Sequence, residues 1–329
     1  MQRKTFVRTL LALATCAATS FAAQAQTTKL TLGHGAAPGN PRHEAAVLFA
    51  ERVKAKTNGR IEIQVAHSAQ LGDDAAMITA LRSGTLDMSA NSQGAIANVV
   101  PEYGAIGLPF LFSDVQKAWQ LLDGPVGEEL SKRTAAKGMV VLGYWDNGIR
   151  HITNSKKAIK APADLKGLKI RTPPDTMTVD IMQTLGADTQ QIKFAELYVA
   201  LQQGVVDGQE NPVMNIHASK LYEVQKHLAL TSHQFQITPF LMSKRAWDKL
   251  SDADKKALQE AAVEATALQR RLSQESEDKL LADLKSKGVL VTTVDKAAFQ
   301  KATAPVVDKW LSAPIGPYVK KVVAAAQAN

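Results

Sequence analysis

The feature that most constrains this fold is a long stretch without a helix breaker near the carboxyl end of the chain. Between Ser251 and Lys287 the sequence contains neither glycine nor proline, and Gly288 follows. Ser251 is a suitable N-cap, with Asp254 three residues later. A helix of about 35 residues is roughly 50 Å long, more than one small domain spans. We therefore predict a continuous helix that lies across two lobes. The alternative is two shorter helices with a bend near residues 269–273.

The preceding sequence alternates short strand patterns with amphipathic helix patterns, as is typical of α/β folds. Strand patterns at 30–32, 61–65 and 86–90 enclose helical patterns that open at Asn40-Pro41 and at Gly72-Asp73. A capping residue followed by proline or by an acidic residue is a common start of a helix. The first part of the chain is therefore predicted to form a βαβαβ unit.

A second strand region begins at Met139 and is interrupted by Asp146-Asn147-Gly148, a tripeptide typical of turns. We place a boundary between two lobes at this turn, and we expect a loop over residues 204–212. The mature protein has about 300 residues, and 45% of the residues in the whole chain are hydrophobic. A sequence of this length and composition suffices for two medium domains. The predicted division is lobe I at 26–147 plus 236–270 and lobe II at 148–235 plus 271–329.

The amino terminus has the pattern of a secretory signal peptide over residues 1–25. Arg3, Lys4 and Arg8 precede and enter an apolar run, and Ala23-Gln24-Ala25 supplies small residues for cleavage. The predicted cut removes Cys16, the only cysteine. An alternative is that Cys16 is lipidated and tethers the protein to a membrane. The first interpretation places the mature protein in the periplasm without a thiol.

The charge of the chain is moderately positive and spread along its length. Lys and Arg number 39 against 31 Asp and Glu, a net charge of +8, and removal of the three basic residues of the leader leaves about +5. Such a field favours small anionic partners. The sequence has no arginine-rich tract with interleaved aromatic residues, so we expect no nucleic-acid partner.

The sequence contains no recognisable catalytic or metal-binding motif. The seven histidines show no metal-ligand spacing, and neither a G-x-S-x-G elbow nor a Walker loop occurs. Gly33-His34-Gly35 follows a strand, but Pro38 stands where a dinucleotide loop needs its third glycine. We predict a binding protein without metal or cofactor. A secreted enzyme that uses a pair of carboxylates remains the alternative.

Two arginines are candidates for binding an anion. Arg150 follows the Asp-Asn-Gly turn, and Arg171 lies near the end of a strand, on the face opposite to Ile170. Guanidinium forks match carboxylate geometry, so two arginines on adjacent strands are suited to hold one carboxylate. The alternative is that both belong to a solvated strand face.

Several motifs, in this order, resemble the solute-binding proteins of TRAP transporters, the tripartite ATP-independent periplasmic group. The match covers nearly the whole mature chain. The motifs are Gln70-Leu71-Gly72-Asp73, Gly107-Leu108-Pro109-Phe110, Gly148-Ile149-Arg150, residues 153–155, 162–171, 194–198 and 200–212.

This resemblance implies a two-lobed periplasmic binding protein fold of the α/β class, with a ligand cleft between the lobes and the long helix spanning both. It implies that Arg171 clamps a carboxylate, with support from Arg150 and from the amide of Asn211, while Phe194 packs against the ligand or the clamp. It also implies hinge closure around the ligand and delivery to a membrane permease. An ABC-type receptor is the alternative that lacks the long helix.

The first lobe is expected to supply the opposite wall of the cleft. We predict ligand contacts from His34, Ser89, Asn91, Ser92 and Trp145, whereas Asp146 is assigned to capping of the turn. Small polar residues here favour a uronate or an aldonate, and an aromatic or branched 2-oxo or hydroxy acid is the alternative. The receptor is predicted to be a monomer.

Overall fold

A computed structural model of the chain describes residues 27–112 and 114–328. The predicted signal peptide and Cys16 lie outside these residues, so both remain predictions. Within the described part of the chain, no helix is both long enough and apolar enough to cross a membrane.

The described residues form nine β-strands. Their bounds are β1 Thr28–His34, β2 Ile61–Ala66, β3 Met88–Ala90, β4 Met139–Asn154, β5 Lys169–Thr172, β6 Asp188–Gln191, β7 Gly208–Pro212, β8 His227–Ser243 and β9 Leu290–Thr292.

Twelve α-helices accompany these strands in the described ranges. Their bounds are α1 Pro41–Lys56, α2 Asp74–Ser83, α3 Gln93–Ala97, α4 Val115–Leu122, α5 Pro125–Ala135, α6 Thr176–Thr184, α7 Leu197–Gln202, α8 Val213–Ala218, α9 Lys244–Trp247, α10 Asp252–Ser286, α11 Lys296–Leu311 and α12 Gly316–Ala328.

All strands belong to one mixed sheet with the order β2-β1-β3-β8-β4-β7-β5-β6, and β9 pairs with β8. In one arm β1 runs parallel to β2 and β3; in the other β5 runs parallel to β6 and β7. The long antiparallel strands β4 and β8 join the arms. We call the arm of β1, β2 and β3 with its helices the first lobe, and the arm of β5, β6 and β7 with its helices the second lobe. The predicted α/β fold with two lobes is confirmed, and the residue boundaries of the lobes stay a prediction.

Helices α1 and α10 begin at the residues predicted from the sequence. The side chain of Asn40 accepts a hydrogen bond from the Arg42 amide at the start of α1, and Ser251 accepts from the Asp254 amide at the start of α10. These caps satisfy amides that have no partner within the helix. Helix α10 is continuous over 35 residues, so the alternative with a bend near residues 269–273 is wrong.

Helix α10 braces both lobes and the strand between them. Near its start Leu258 packs in the same core cluster as Phe49 of α1, and near its end Leu284 packs with Ile216 of α8. At its middle, Gln269 accepts from the Asp146 amide at 2.7 Å and donates to the Asp146 carbonyl at 2.9 Å. The helix is therefore fixed to β4 at the point where the lobes join.

Three expectations about the centre of the sheet are wrong. Asp146-Asn147-Gly148 does not end a strand, because β8 pairs with β4 on both sides of it and the register shifts only by a bulge between residues 146 and 148. Asp146 therefore caps no turn. Residues 208–212 of the expected loop form β7. Because β7 lies between β4 and β5, the strands of Arg150 and Arg171 are not adjacent.

Candidate functional site

A cavity of about 360 Å³ lies between the two lobes, within the size range of small-molecule sites. Both lobes and the two joining strands contribute polar groups to it. These are Arg42, Asp73, Asp74 and Ser92 from the first lobe, Arg171, Lys193, Asn211 and Asn215 from the second, and Asn147, Arg150 and Gln236 from β4 and β8; Phe194 of the second lobe adds an aromatic ring.

Arg171 presents an unoccupied pair of donors to this cavity. Strand β5 turns Ile170 into the core and Arg171 to the opposite face, where its side chain is 2% exposed. Its Nε donates to the Ile192 carbonyl at 2.7 Å, and Nη1 and Nη2 have no hydrogen-bond partner among the described residues. The guanidinium carbon lies 5.9 Å from the centre of the Phe194 ring. Burial lowers the pKa of Arg171 to about 10, so the group is a cation at neutral pH.

Arg150 differs, because most of its donors are already used within the protein. Its Nε and Nη2 bind the Glu210 carboxylate, the second at 2.7 Å, and Nη2 also donates to the Glu210 carbonyl at 2.7 Å. Nη1 donates to Gln236 at 2.9 Å, which leaves one N–H for the cavity. Burial raises the pKa of Glu210, but the charge and hydrogen bonds of Arg150 lower it by more, so that the pKa lies below its usual value.

Asn211 reaches the cavity from the end of β7. Its Nδ2 donates to Gln209 at 2.5 Å, and its Oδ1 accepts from Asn215 at 3.2 Å. One N–H of the amide remains for a ligand. The second lobe and β4 together thus offer the cavity N–H donors from three side chains, those of Arg171, Arg150 and Asn211.

The first-lobe wall contains a buried arginine that the sequence analysis missed. Arg42 is 6% exposed, and both hydrogens of its Nη2 are used, by Asn147 Oδ1 at 2.9 Å and Thr238 Oγ1 at 2.7 Å. Its Nε is buried without a partner, and none of the ion pairs within the described ranges includes it. Burial lowers the pKa of Arg42, and the charge of Asp74 partly offsets this. One signal was available: Arg42 shares the face of α1 with the buried residues Ala45, Phe49 and Val53.

Asp74 gives the same wall a carboxylate. Its Oδ2 accepts from the Ser92 amide at 3.0 Å and from Ser92 Oγ at 2.5 Å. Its Oδ1 has no hydrogen-bond partner in the part of the chain that the structure describes. Asn91 donates to Ser89 Oγ at 2.9 Å and weakly to the Asp74 carbonyl at 3.4 Å. The small polar segment that was predicted to contact ligand therefore holds Asp74 in place.

An ion pair closes the mouth of the cavity between the lobes. Lys193, just after β6, lies 2.6 Å from the carboxylate of Asp73, the N-cap residue of α2. The lysine side chain is 59% exposed and the aspartate 21%. In the described residues, no group of three or more histidine, cysteine, aspartate or glutamate side chains is arranged to hold a metal ion.

Comparison with known families decides the class of this site. Residues 32–313, most of the chain, match the family model DctP, described as bacterial extracellular solute-binding protein, family 7. The chain belongs to this family. The prediction of a TRAP-type solute-binding protein, rather than an enzyme or an ABC-type receptor, is thereby confirmed.

Relatives of this solute-binding protein are found at high identity. An uncharacterized protein, y4mM, of Sinorhizobium fredii is 58% identical over 282 residues, which cover 85% of this chain and 52% of that protein. The chain thus spans about half the length of that relative. The 2,3-diketo-L-gulonate-binding periplasmic protein YiaO of Escherichia coli is 36% identical over 299 residues, covering 91% of this chain and 90% of YiaO.

Solved structures of similar proteins share the fold of this family member. The sugar acid binding protein DctPAm of Advenella mimigardefordensis, in complex with galactonate, matches with a TM-score of 0.90 and 34% identity, covering 92% of this chain and 99% of that chain. A TRAP periplasmic solute-binding protein of Polaromonas bound to D-erythronate matches with a TM-score of 0.88 and 38% identity, covering 92% and 98% of the two chains.

In this solute-binding protein the predicted ligand residues divide into two groups. The cavity brings together Arg171, Arg150, Asn211, Phe194 and Ser92. It does not include the other four predicted residues, which are His34, Ser89, Asn91 and Trp145.

Two of those four have clear structural roles. Trp145 lies in the core beside α10, where it stacks on Phe240 with ring centres 4.6 Å apart and donates to Thr266 Oγ1 at 3.0 Å. His34 is fully buried behind the cavity wall, 3.4 Å from His43, and burial lowers its pKa to about 3. It is therefore a neutral core histidine.

Proposed function

We propose that this chain is the periplasmic receptor of a TRAP transporter, which captures a sugar acid such as an aldonate or a uronate and delivers it to the membrane permease. The observation that carries the proposal is the buried Arg171, whose two terminal nitrogens face the cavity without a partner. A buried cation without an anion is costly, and a ligand carboxylate is the group whose geometry matches this fork.

Three further features support an acid of this kind. Arg150 and Asn211 each keep one N–H for the same end of the cavity. The half-buried ring of Phe194 covers the guanidinium of Arg171. Similar structures hold galactonate and D-erythronate, and a similar relative is named for 2,3-diketo-L-gulonate, so hydroxylated carboxylates recur in proteins of this shape.

The proposed mechanism is closure of the two lobes around the ligand. The carboxylate binds first to the second-lobe donors, and closure then buries the far end of the ligand against the first lobe. The closed receptor is the form that the permease binds. The periplasmic location rests on the export pattern of the leader and on the periplasmic naming of YiaO. No bond of the ligand changes.

A thermal-shift screen of the mature protein against aldonates, uronates, aromatic and branched 2-oxo acids, and C4 dicarboxylates tests the proposal. A ligand at ~100 times its dissociation constant stabilises the folded state by about 2.7 kcal/mol. We expect the largest shifts from aldonates or uronates, and mass spectrometry should recover the ligand unchanged. If only aromatic 2-oxo acids shift the unfolding transition, the proposed ligand class is wrong. If the ligand is recovered in a chemically altered form, the protein is an enzyme and the proposed receptor function is wrong.

A further inference from the structure

The charges around the cavity are not balanced, and the imbalance bears on which acids fit. Two ion pairs of the cavity wall are complete: Arg150 with Glu210, and Lys193 with Asp73. Their charges cancel, so neither pair requires an anion from the ligand. The charges that remain on the lining are those of Arg171 in the second lobe and of Arg42 and Asp74 in the first.

These three groups leave the lining with one positive charge in excess. Asp175 is a buried acid in contact with the lining: it accepts from the lining residue Gln236 at 2.7 Å and from Thr178 at 2.7 Å. Burial raises the pKa of Asp175 and so moves it toward its neutral form. A ligand with one negative charge therefore neutralises the cavity, whereas a ligand with two negative charges leaves an excess of the opposite sign.

The two unpaired arginines differ in how they are able to bind an oxygen. Arg171 keeps both Nη1 and Nη2 free, so it can hold the two oxygens of one carboxylate. Arg42 has given both hydrogens of Nη2 to Asn147 and Thr238, and its Nε is enclosed by protein. Only Nη1 of Arg42 remains, and a single nitrogen suits one hydroxyl or carbonyl oxygen better than a carboxylate.

Asp74 adds the complementary group on the same wall. Its Oδ1 is without a partner in the described ranges, and its charge partly offsets the lowering of the Arg42 pKa by burial. A ligand hydroxyl can donate to Asp74 Oδ1 and accept from Arg42 Nη1. A second carboxylate cannot donate, and it would lie buried beside a charge of its own sign.

We propose that the first-lobe wall, through Arg42 and Asp74, selects monocarboxylates with a hydroxylated far end and rejects the dicarboxylates of the same length. This inference rests on the proposed function, because it takes Arg171 as the site of the first carboxylate. It goes further by assigning the discrimination between the two acid classes to two named side chains.

Isothermal titration calorimetry with matched acids tests the proposal. D-galactonate is paired with galactarate, and D-erythronate with meso-tartrate, since each pair differs only by oxidation of the far hydroxymethyl group to a carboxylate. Like-charge contact in a buried site costs several kcal/mol, so the monoacid of at least one pair should bind about 100-fold more tightly than its diacid. A diacid that binds as tightly as its monoacid overturns the inference.

Two variants should affect this selectivity differently. Asp74→Asn removes the repelling charge and should lower the ratio of monoacid to diacid affinity by about 10-fold or more. Arg42→Gln removes a cation, so it should weaken the monoacid by about 10-fold and leave the ratio unchanged or higher. A general folding defect would not separate the variants in this way, and their unfolding transitions provide the check. Equal effects of both substitutions on the ratio would contradict the assignment.

Failure of this inference is distinguishable from failure of the proposed function. If neither pair binds but another carboxylate does, and Arg171→Ala abolishes that binding, the receptor function stands and the selectivity proposed here is wrong. If no carboxylate binds to the parent protein, both proposals are wrong.

Discussion

In the second lobe, Arg171, the proposed carboxylate donor, is oriented by the main chain, since its Nε donates to the Ile192 carbonyl. In the first lobe the cavity groups are oriented by other side chains: Asn147 and Thr238 hold Arg42, and Ser92 holds Asp74. A donor that is fixed by backbone geometry tolerates changes in its neighbours, whereas a group held by side chains changes orientation whenever one of those residues is replaced. The second lobe is therefore suited to a constant task, capture of a carboxylate, and the first lobe to a variable one, recognition of what the carboxylate is attached to.

The largest effect should come from the second lobe. Arg171→Ala removes the fork and leaves a ligand carboxylate unpaired, a loss of about 2 to 5 kcal/mol, or roughly 30- to 4,000-fold in the dissociation constant. Arg171→Lys should fail similarly, because one ammonium cannot make two parallel hydrogen bonds. Calorimetric titration with the best ligand of the thermal-shift screen measures both. Arg271→Ala, at an exposed arginine of α10 that pairs with Glu275, is the matched control and should bind as the parent does.

A second effect is expected where the two walls join on β4. Asp146 is 4% exposed and accepts from Trp119 at 2.7 Å, and burial raises its pKa from 3.8 to about 6. Between those two values the folded protein keeps a proton that the unfolded chain has released, so stability falls as the pH rises through this window. Asp146→Asn keeps the hydrogen bond from Trp119 and does not titrate.

The difference in unfolding free energy between Asp146→Asn and the parent should therefore grow in favour of the variant from about pH 4 to pH 6 and then level off. The expected gain over this window is about 2 to 3 kcal/mol, from a shift of roughly two pKa units. Urea titrations at several pH values measure it. A difference that does not depend on pH would show that the raised pKa makes no contribution, and that Asp146 is charged in both states.

The regions that could be predicted from sequence are those fixed by local interactions. The start of α1 at Pro41 and the whole of α10 follow from caps and from the absence of breakers. The bulge at residues 146–148 could not be predicted in this way, because local propensity favours a turn while the distant strand β8 pairs with both sides of it. The position of β7 between the strands of Arg150 and Arg171 is likewise set by contacts distant in sequence.

The site shows the same division. Arg150 of β4 and the second-lobe residues Arg171, Asn211 and Phe194 lie in motifs that resemble a family, and all four line the cavity. The first-lobe wall was expected from a strand pattern, and that pattern could not show that Asn91 donates to Ser89 and to the Asp74 carbonyl and not to the cavity. Nor could it show that Arg42, more than thirty residues away in sequence, occupies the wall.

Within the second-lobe wall, replacing the aromatic residue Phe194 should weaken ligand binding less than replacing the charged residue Arg171. Phe194→Leu keeps an apolar side chain but removes the ring over Arg171, and a cation–π contact of this kind is worth about 0.5 to 2 kcal/mol. The dissociation constant of the ligand should therefore rise by roughly 2- to 30-fold. Titration of Phe194→Tyr, which keeps a ring, is the control and should stay near the parent value. A loss as large as that of Arg171→Ala would mean that the ring positions the arginine, rather than adding to its attraction.

The smallest expected effect lies at the mouth, where the walls touch through Lys193 and Asp73. An exposed ion pair contributes little, and this one joins side chains of different lobes, so its loss should weaken ligand binding by no more than about 5-fold. Lys193→Asp should show a larger loss, since two carboxylates would then face each other across the mouth. Lys193→Arg keeps a cation opposite Asp73 and leaves the N-cap of α2 in place, so it should bind nearly as the parent does, and added salt should reduce the differences among these proteins. If Lys193→Asp binds the ligand as tightly as the parent does, the pair contributes nothing to closure, and the two walls are held together by the ligand itself.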